Sequence, residues 1–230
     1  MSQAGWRRVL GSALAVALLG LGGCSSGRSS TRVDEEWLAR VPPAQMEEVR
    51  KVRLVQSKAQ DETVRAEVAV EDAKKELEVA RRNEEAAKAR RVADEAALRA
   101  ARETAQGASI IQAQQRLREA DLELAAAQAE VEFRERTVRT REALELMRAR
   151  ELAVADAEVA QTEYLALRRS GDVRARRLSG ADFAQRLAEA RSAAWETQNQ
   201  VDAHLQLQRQ AQARWQQLSE QLQGYGGSGR

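Results

Sequence analysis

The sequence is poor in the residues that interrupt helices and in those that build compact mixed cores. Its only prolines are adjacent, Pro42 and Pro43, and aromatic residues make up 3% of the 230 residues. Its single cysteine excludes an intramolecular disulfide. The remainder is dominated by Ala, Glu, Arg, Gln and Leu, a composition typical of long helices and coiled coils. The predicted fold class is therefore all-α.

The sequence also lacks the motifs of common enzyme active sites. It contains no glycine-rich phosphate-binding loop, no nucleophile elbow and no paired metal-ligand motif. Neighbouring acidic and basic residues are mostly three or four apart, which is the spacing of exposed ion pairs along a helix. We therefore predict that the protein is not an enzyme and that it has no catalytic residues, metal ligands, cofactor or small-molecule substrate.

The N-terminus has the pattern of an export signal. Arg7 and Arg8 precede an apolar run over residues 9–20, which is shorter than the about 20 apolar residues of a membrane-spanning helix. The run closes on Leu21-Gly22-Gly23-Cys24. This motif resembles the lipobox of bacterial lipoproteins.

The resemblance implies that residues 1–23 are a signal peptide and that Cys24 carries a diacylglycerol and an N-acyl chain. Several acyl chains hold a protein on a membrane far more firmly than one. In this family an aspartate after the cysteine favours the inner membrane, whereas here that position is Ser25. The resemblance therefore points to the outer membrane, with the protein facing the periplasm. The alternative is an unmodified cysteine after an ordinary signal peptide.

The charge balance gives no support for a nucleic-acid partner. Removing residues 1–23 takes away Arg7 and Arg8 and no acid, which leaves 35 basic and 35 acidic side chains of the original 37 and 35. No positive excess then remains to neutralise phosphates.

Residues 24–42 are predicted to be a flexible tether that holds the folded part away from the lipid. The stretch from Ser25 to Thr31 is small and polar, so it cannot bury a core. A short helix carrying Trp37 is expected over residues 34–40. It should stop before Pro42, because the residue before a proline avoids the helical conformation.

A long first helix is predicted over residues 43–106, since residues 44–106 contain neither proline nor glycine. Alanine recurs along it at intervals of seven, which indicates a coiled-coil seam with closely spaced backbones. The alanines of this seam are Ala59, Ala66, Ala73, Ala80, Ala87 and Ala101. Each layer should contribute only a fraction of the free energy of a buried leucine, because alanine buries little apolar area.

Gly107 is the predicted turn into a second helix over residues 109–169. Glycine readily takes the left-handed conformation that ends helices, and Ser109 followed by Gln112 has the pattern of a capping box. The alternative is a continuous rod, since one interior glycine costs only about 1 kcal/mol. We favour the turn, and hence a long antiparallel coiled-coil hairpin.

A third, shorter helix over residues 181–223 is predicted to pack against the hairpin. Its apolar residues follow alternating steps of four and three from Phe183 to Leu222. His204, the only histidine, lies on this seam and is interpreted as part of a polar layer that fixes register. Residues 43–223 thus form one helical domain, and residues 224–230 are predicted to be a flexible glycine-rich tail.

Two surfaces are candidate binding sites. The third helix is shorter than the hairpin and should leave about 30 Å of the hairpin end uncovered, and exposed apolar clusters mark interaction sites. The apolar residues of that end are Leu98, Ile110, Ile111 and Leu117. The alternative is that they staple the turn or pack in a homo-oligomer.

The second surface is basic and precedes the third helix. It is a candidate for contact with anionic lipid, and the alternative is a solvated connector. It comprises Arg168, Arg169, Arg174, Arg176 and Arg177.

The sequence therefore predicts an outer-membrane lipoprotein that acts as a spacer or docking scaffold for an assembly of the cell envelope. The expected partner is another envelope protein or a second copy of the chain. The alternative function is a coiled-coil regulator that recruits or activates an envelope enzyme.

Overall fold

The computed structural model describes residues 32–104 and 106–227, and for residues 225–227 it describes the backbone alone. The signal peptide, Cys24 and residues 228–230 lie outside the described residues. The elements in chain order are α1 (Glu35–Leu38), a 3₁₀ turn (Pro43–Met46), α2 (Glu47–Glu103), α3 (Gly107–Arg169), a connecting 3₁₀ turn (Val173–Arg177) and α4 (Gly180–Gly227). The fold is all-α, with no strand in the described residues.

The antiparallel hairpin is confirmed, since α2 and α3 pack against each other along their length. The alanine column of α2 lies in their interface. Ala73, Ala80 and Ala87 are buried there, and Ala59, Ala66 and Ala101 are half-buried. The small side chains let the two backbones approach closely, as the spacing of seven predicts.

Helix α4 packs on α3, and within the described residues its backbone does not come close to that of α2. The three long helices therefore form an open row with α3 in the middle, rather than a closed bundle. Phe183, Leu187, Val201 and Ala211 are buried on the α4 seam, as their spacing predicts. On the facing side of α3, the ring of Phe133 stacks on Trp215 with centroids 5.4 Å apart.

The predicted role of Gly107 as a left-handed turn residue is wrong. Gly107 is the first residue of α3, which follows Gln106 without a side-chain cap, so it lies inside the second helix rather than ending the first. The capping box is also absent, because the Ser109 hydroxyl donates to the Gln106 side chain at 3.3 Å instead. Among the described residues the left-handed glycine is Gly171, with φ 77°, at the end of α3. There it reverses the backbone without the clash that a Cβ would cause.

The predicted flexible tether is wrong from Val33 onwards. Val33, Leu38 and Val41 are buried against the end of α3 and the start of α4. The centre of this core contains Leu167, Phe183 and Val49, all almost fully buried. We call this end of the molecule, formed by residues 33–49 and 160–183, the base. Its large side chains each contribute about 1.5–3 kcal/mol when buried, which is why this short segment is held in place.

The predicted flexible tail is wrong for residues 224–227, because α4 continues to Gly227. The uncovered end of the hairpin is correspondingly shorter than expected. Arg214 of α4 pairs with Glu132 of α3 at 3.0 Å, and the antiparallel course of the remaining residues brings the end of α4 level with about residue 119. At 1.5 Å per residue, α3 is bare over about 18 Å rather than about 30 Å.

Gly180 is required where α4 begins beside Tyr164. A Cβ at Gly180 would lie 2.9 Å from Cε1 and 2.9 Å from the hydroxyl oxygen of Tyr164, and the Tyr164 ring is stacked on Phe183 with centroids 5.0 Å apart. We expect Gly180→Ala to lower the free energy of unfolding by about 1–3 kcal/mol, the usual cost of overpacking a core. Urea unfolding measures this change. Gly107→Ala is the matched control, because a Cβ there has nothing within 4 Å. Equal stabilities of the two variants would contradict the packing argument.

Candidate functional site

The structure has two distinct ends that could bind other molecules. The 57 residues of α2 span about 86 Å at 1.5 Å per residue. One end is the base. The other is the hairpin end around residues 104–107, which we call the tip. The chain enters the described structure at the base, with Val33 in its core.

The four apolar residues predicted for the tip are not equally exposed. Leu98 is 6% exposed and belongs to the seam between α2 and α3. Ile110 and Leu117 are half-buried. Ile111 is 59% exposed, so it is the member of the set that presents a large apolar side chain to a partner. The structure adds Val92, which is 63% exposed and was missed because a lone valine on a charged helix carries no pattern.

Four arginines of the predicted basic surface are open at the base. Arg168 and Arg169 lie on the last turn of α3, and Arg176 and Arg177 lie on the connecting turn. All four are exposed, and none pairs with a carboxylate among the described residues. Arg168 and Arg169 also complement the negative end of the α3 dipole, an effect that at exposed positions is worth only about 0.3–1 kcal/mol.

Arg174, the fifth predicted arginine, has a different role. Its Nε and backbone N–H donate to Asp172 Oδ1 at 2.8 and 2.9 Å, and Nη2 donates to Oδ2. Its guanidinium also lies over the ring of Trp37, 5.4 Å from the centroid, which ties α1 to the connecting turn. Arg174 is thus part of the architecture of the base and is not open to a ligand. These bonds from Arg174 lower the pKa of Asp172 to about 2.

Two further pairings join the helices. The Glu163 carboxylate, buried on α3, accepts from Arg53 of α2 at 2.6 and 3.1 Å. Arg134 of α3 pairs with Glu76 of α2 at 2.6 Å, and its guanidinium lies 5.9 Å from the Trp215 ring centroid of α4. The contact of Arg134 with Trp215 depends on the register between α3 and α4, which sequence spacing does not give.

The hydrogen bond in the polar layer predicted around His204 is made by Gln208 and not by His204 itself. Gln208, one turn further along α4, donates to the Thr137 hydroxyl of α3 at 3.2 Å. Thr197 is buried on the same seam, whereas His204 is half-buried. In the part of the chain that the structure describes, no three His, Cys, Asp or Glu side chains are placed to share a metal ion.

In comparisons with known proteins, no family model matches the chain, and no curated protein or solved structure is similar to it. Among the described residues, no helix has the length and apolar character needed to cross a membrane. The function must therefore be argued from the two ends of the molecule.

The Asp172 carboxylate should make the stability of the base depend on acid pH. Its folded-state pKa of about 2 lies below its ordinary value of 3.8. The contribution of the ionised carboxylate to the free energy of unfolding is therefore fully present above pH of about 4 and is lost as the pH falls through about 2. We expect Asp172→Asn to be less stable than the parent at neutral pH and the gap to close in this window. Thermal unfolding at a series of pH values measures the gap. A gap that stays constant down to pH of about 2 would show that the ionised carboxylate is not what stabilises the turn.

Proposed function

We propose that the protein is a lipid-anchored docking rod of the cell envelope, held to the outer membrane at Cys24 and presenting its tip to a protein partner in the periplasm. The observation that supports this best is the separation of the two ends. The described chain begins in the core of the base, and the turn between α2 and α3 lies at the far end of helices about 86 Å long.

The chain length before the base fits an anchor close to it. Cys24 precedes Arg32 by eight residues, which span at most about 28 Å even when fully extended. A lipid on Cys24 would therefore keep the base near the membrane surface. The burial of Val33, Leu38 and Val41 shortens the free stretch below the 24–42 tether that the sequence suggested.

The tip is suited to binding a protein rather than a small molecule. Ile111 is exposed on a convex helical surface next to the turn, and beyond the end of α4 no third helix of the described part of the chain covers that surface. An exposed apolar side chain of this kind gains free energy when a partner helix or groove removes it from water.

The anchor is tested by Cys24→Ala. We expect the parent to fractionate with the outer membrane and the variant to leave the membrane fraction, because no described helix could span a bilayer. Membrane fractionation and metabolic labelling with a fatty acid are the two measurements. Retention of the unlabelled variant in the membrane fraction would rule out Cys24 as the anchor.

The docking role is tested by comparing two side chains of equal exposure. Ile111 and Leu54 are both 59% exposed, but Ile111 is at the tip and Leu54 is near the base on α2. A photo-crosslinking residue at position 111 should give a discrete adduct in intact cells, and one at position 54 should not. For the serine variants the crosslinker is placed at neighbouring position 108, so that position 111 is free to be substituted. The adduct from position 108 should be lost in Ile111→Ser and kept in Leu54→Ser.

Circular dichroism should show the same helix content in both serine variants. Equal adducts from positions 111 and 54 would mean that docking is not confined to the tip. No adduct at either position would favour a spacer without a partner at this end.

A further inference from the structure

A shallow hollow of about 360 Å³ opens at the base between the end of α3 and the connecting turn. Arg168 and Arg176 both line it, beside Tyr164, Asp172 and Leu178. The two arginines come from different elements, and the reversal of the chain at Gly171 brings them to the same hollow. Both are exposed and free of ion pairs within the described residues.

The carboxylate that lines this hollow does not neutralise them. Both oxygens of Asp172 are held by Arg174, so its charge is already matched. Asp34 and Glu36 also act on Arg174, and the Asp182 carboxylate accepts from the Ser179 hydroxyl. Arg168 and Arg176 therefore retain their positive charge toward solvent.

We infer that this hollow binds the phosphate of an anionic phospholipid headgroup. Guanidinium groups suit phosphate because their planar N–H donors can bond two oxygens at once. Two arginines on one hollow supply such donors, and the open Arg169 and Arg177 extend the positive surface beside it. Basic residues at a negatively charged leaflet each add to the attraction.

A lipid rather than a free anion is the occupant that fits the position of the hollow. It lies at the end of the molecule where the chain arrives from Cys24, and this part of the inference rests on the proposed anchor. An acyl chain on Cys24 alone would attach the rod to the membrane at a single point. A headgroup held by Arg168 and Arg176 gives a second attachment, which restricts the tilt of the rod relative to the membrane.

The test uses the mature chain from residue 24 with Cys24→Ser, so that no lipid on the protein contributes to binding. Flotation with vesicles of phosphatidylethanolamine should leave the protein behind, whereas vesicles that also contain phosphatidylglycerol should carry it. Arg168→Gln with Arg176→Gln should lower the partition coefficient by roughly 30-fold, the loss expected when two basic residues no longer attract an anionic surface.

The matched control is Arg139→Gln with Arg150→Gln. These arginines are exposed on α3 away from the base, and the double variant makes the same change in net charge. It should bind vesicles within about twofold of the parent, since it leaves the hollow intact. An equal loss in both double variants would show that net charge alone causes the binding and would overturn the inference. Undiminished binding of the Arg168 and Arg176 variant would overturn it as well.

Because the Cys24→Ser protein carries no acyl chain, its vesicle binding does not depend on the proposed anchor at Cys24. The Cys24→Ser protein could bind vesicles through Arg168 and Arg176 while the parent is not lipidated in cells. That combination would support the lipid site in the hollow and contradict the proposed anchor at Cys24. Calorimetric titration with inorganic phosphate tests the alternative that the hollow binds a free phosphate ion instead of a lipid headgroup. Phosphate binding without any vesicle binding would identify a site for a free anion and overturn the inference of a lipid site.

Discussion

The structure depends on how closely the backbones of α2 and α3 approach each other. Alanines such as Ala73, Ala80 and Ala87 lie between them, and a larger side chain would push the helices apart at every layer nearby. Each such layer removes little apolar area from water, so the hairpin needs many layers to be stable. Ion pairs along the edges of the seam, such as Arg91 with Asp121 at 2.7 Å, add about 0–1 kcal/mol each.

The alanine column of α2 does not by itself define how the two helices align. Sliding α2 by seven residues would bring each of its seam alanines to the place of the next one. The features that occur once must therefore fix the register. Between α2 and α3 they are the core of the base with Val49 and Leu167 and the buried Glu163 with its Arg53 partner. The stack of Phe133 on Trp215 fixes α4 against α3 in the same way. Large or charged groups of this kind fit only one alignment, as polar layers do in coiled coils.

Periodicity and helix-breaking residues were sufficient to predict the fold. Alanine at intervals of seven identified the α2 surface that contacts α3, and the four-three spacing identified the buried side of α4, because each pattern reflects one face of one helix. The local conformation at Gly107 was not predictable in the same way. Glycine is compatible with both a turn and a helix, and the choice depended on Thr104 and Gln106, which have no strong preference.

The candidate sites were predicted less completely, for a related reason. Sequence spacing gives the face on which a residue lies but not the neighbour that covers it. Leu98 and Ile111 therefore seemed equivalent in sequence, although one is buried by α3 and the other is exposed. Similarly, the five arginines before α4 read as one basic cluster, whereas Asp172 and Trp37 take Arg174 out of it. Asp172 is a local partner two residues away, whereas Trp37 reaches Arg174 only when residues 33–41 fold onto the connecting turn.

The open row of α2, α3 and α4 has a mechanical consequence. A beam resists bending least across its thinnest dimension, and a row of helices joined only through its central member is thinner in one direction than in the other. The rod should therefore flex like a ruler, easily toward its two broad faces and with difficulty toward its edges. Beyond the end of α4, where only two helices continue, its compliance rises again. A load applied to the far end would bend the molecule there first and leave the other end undistorted.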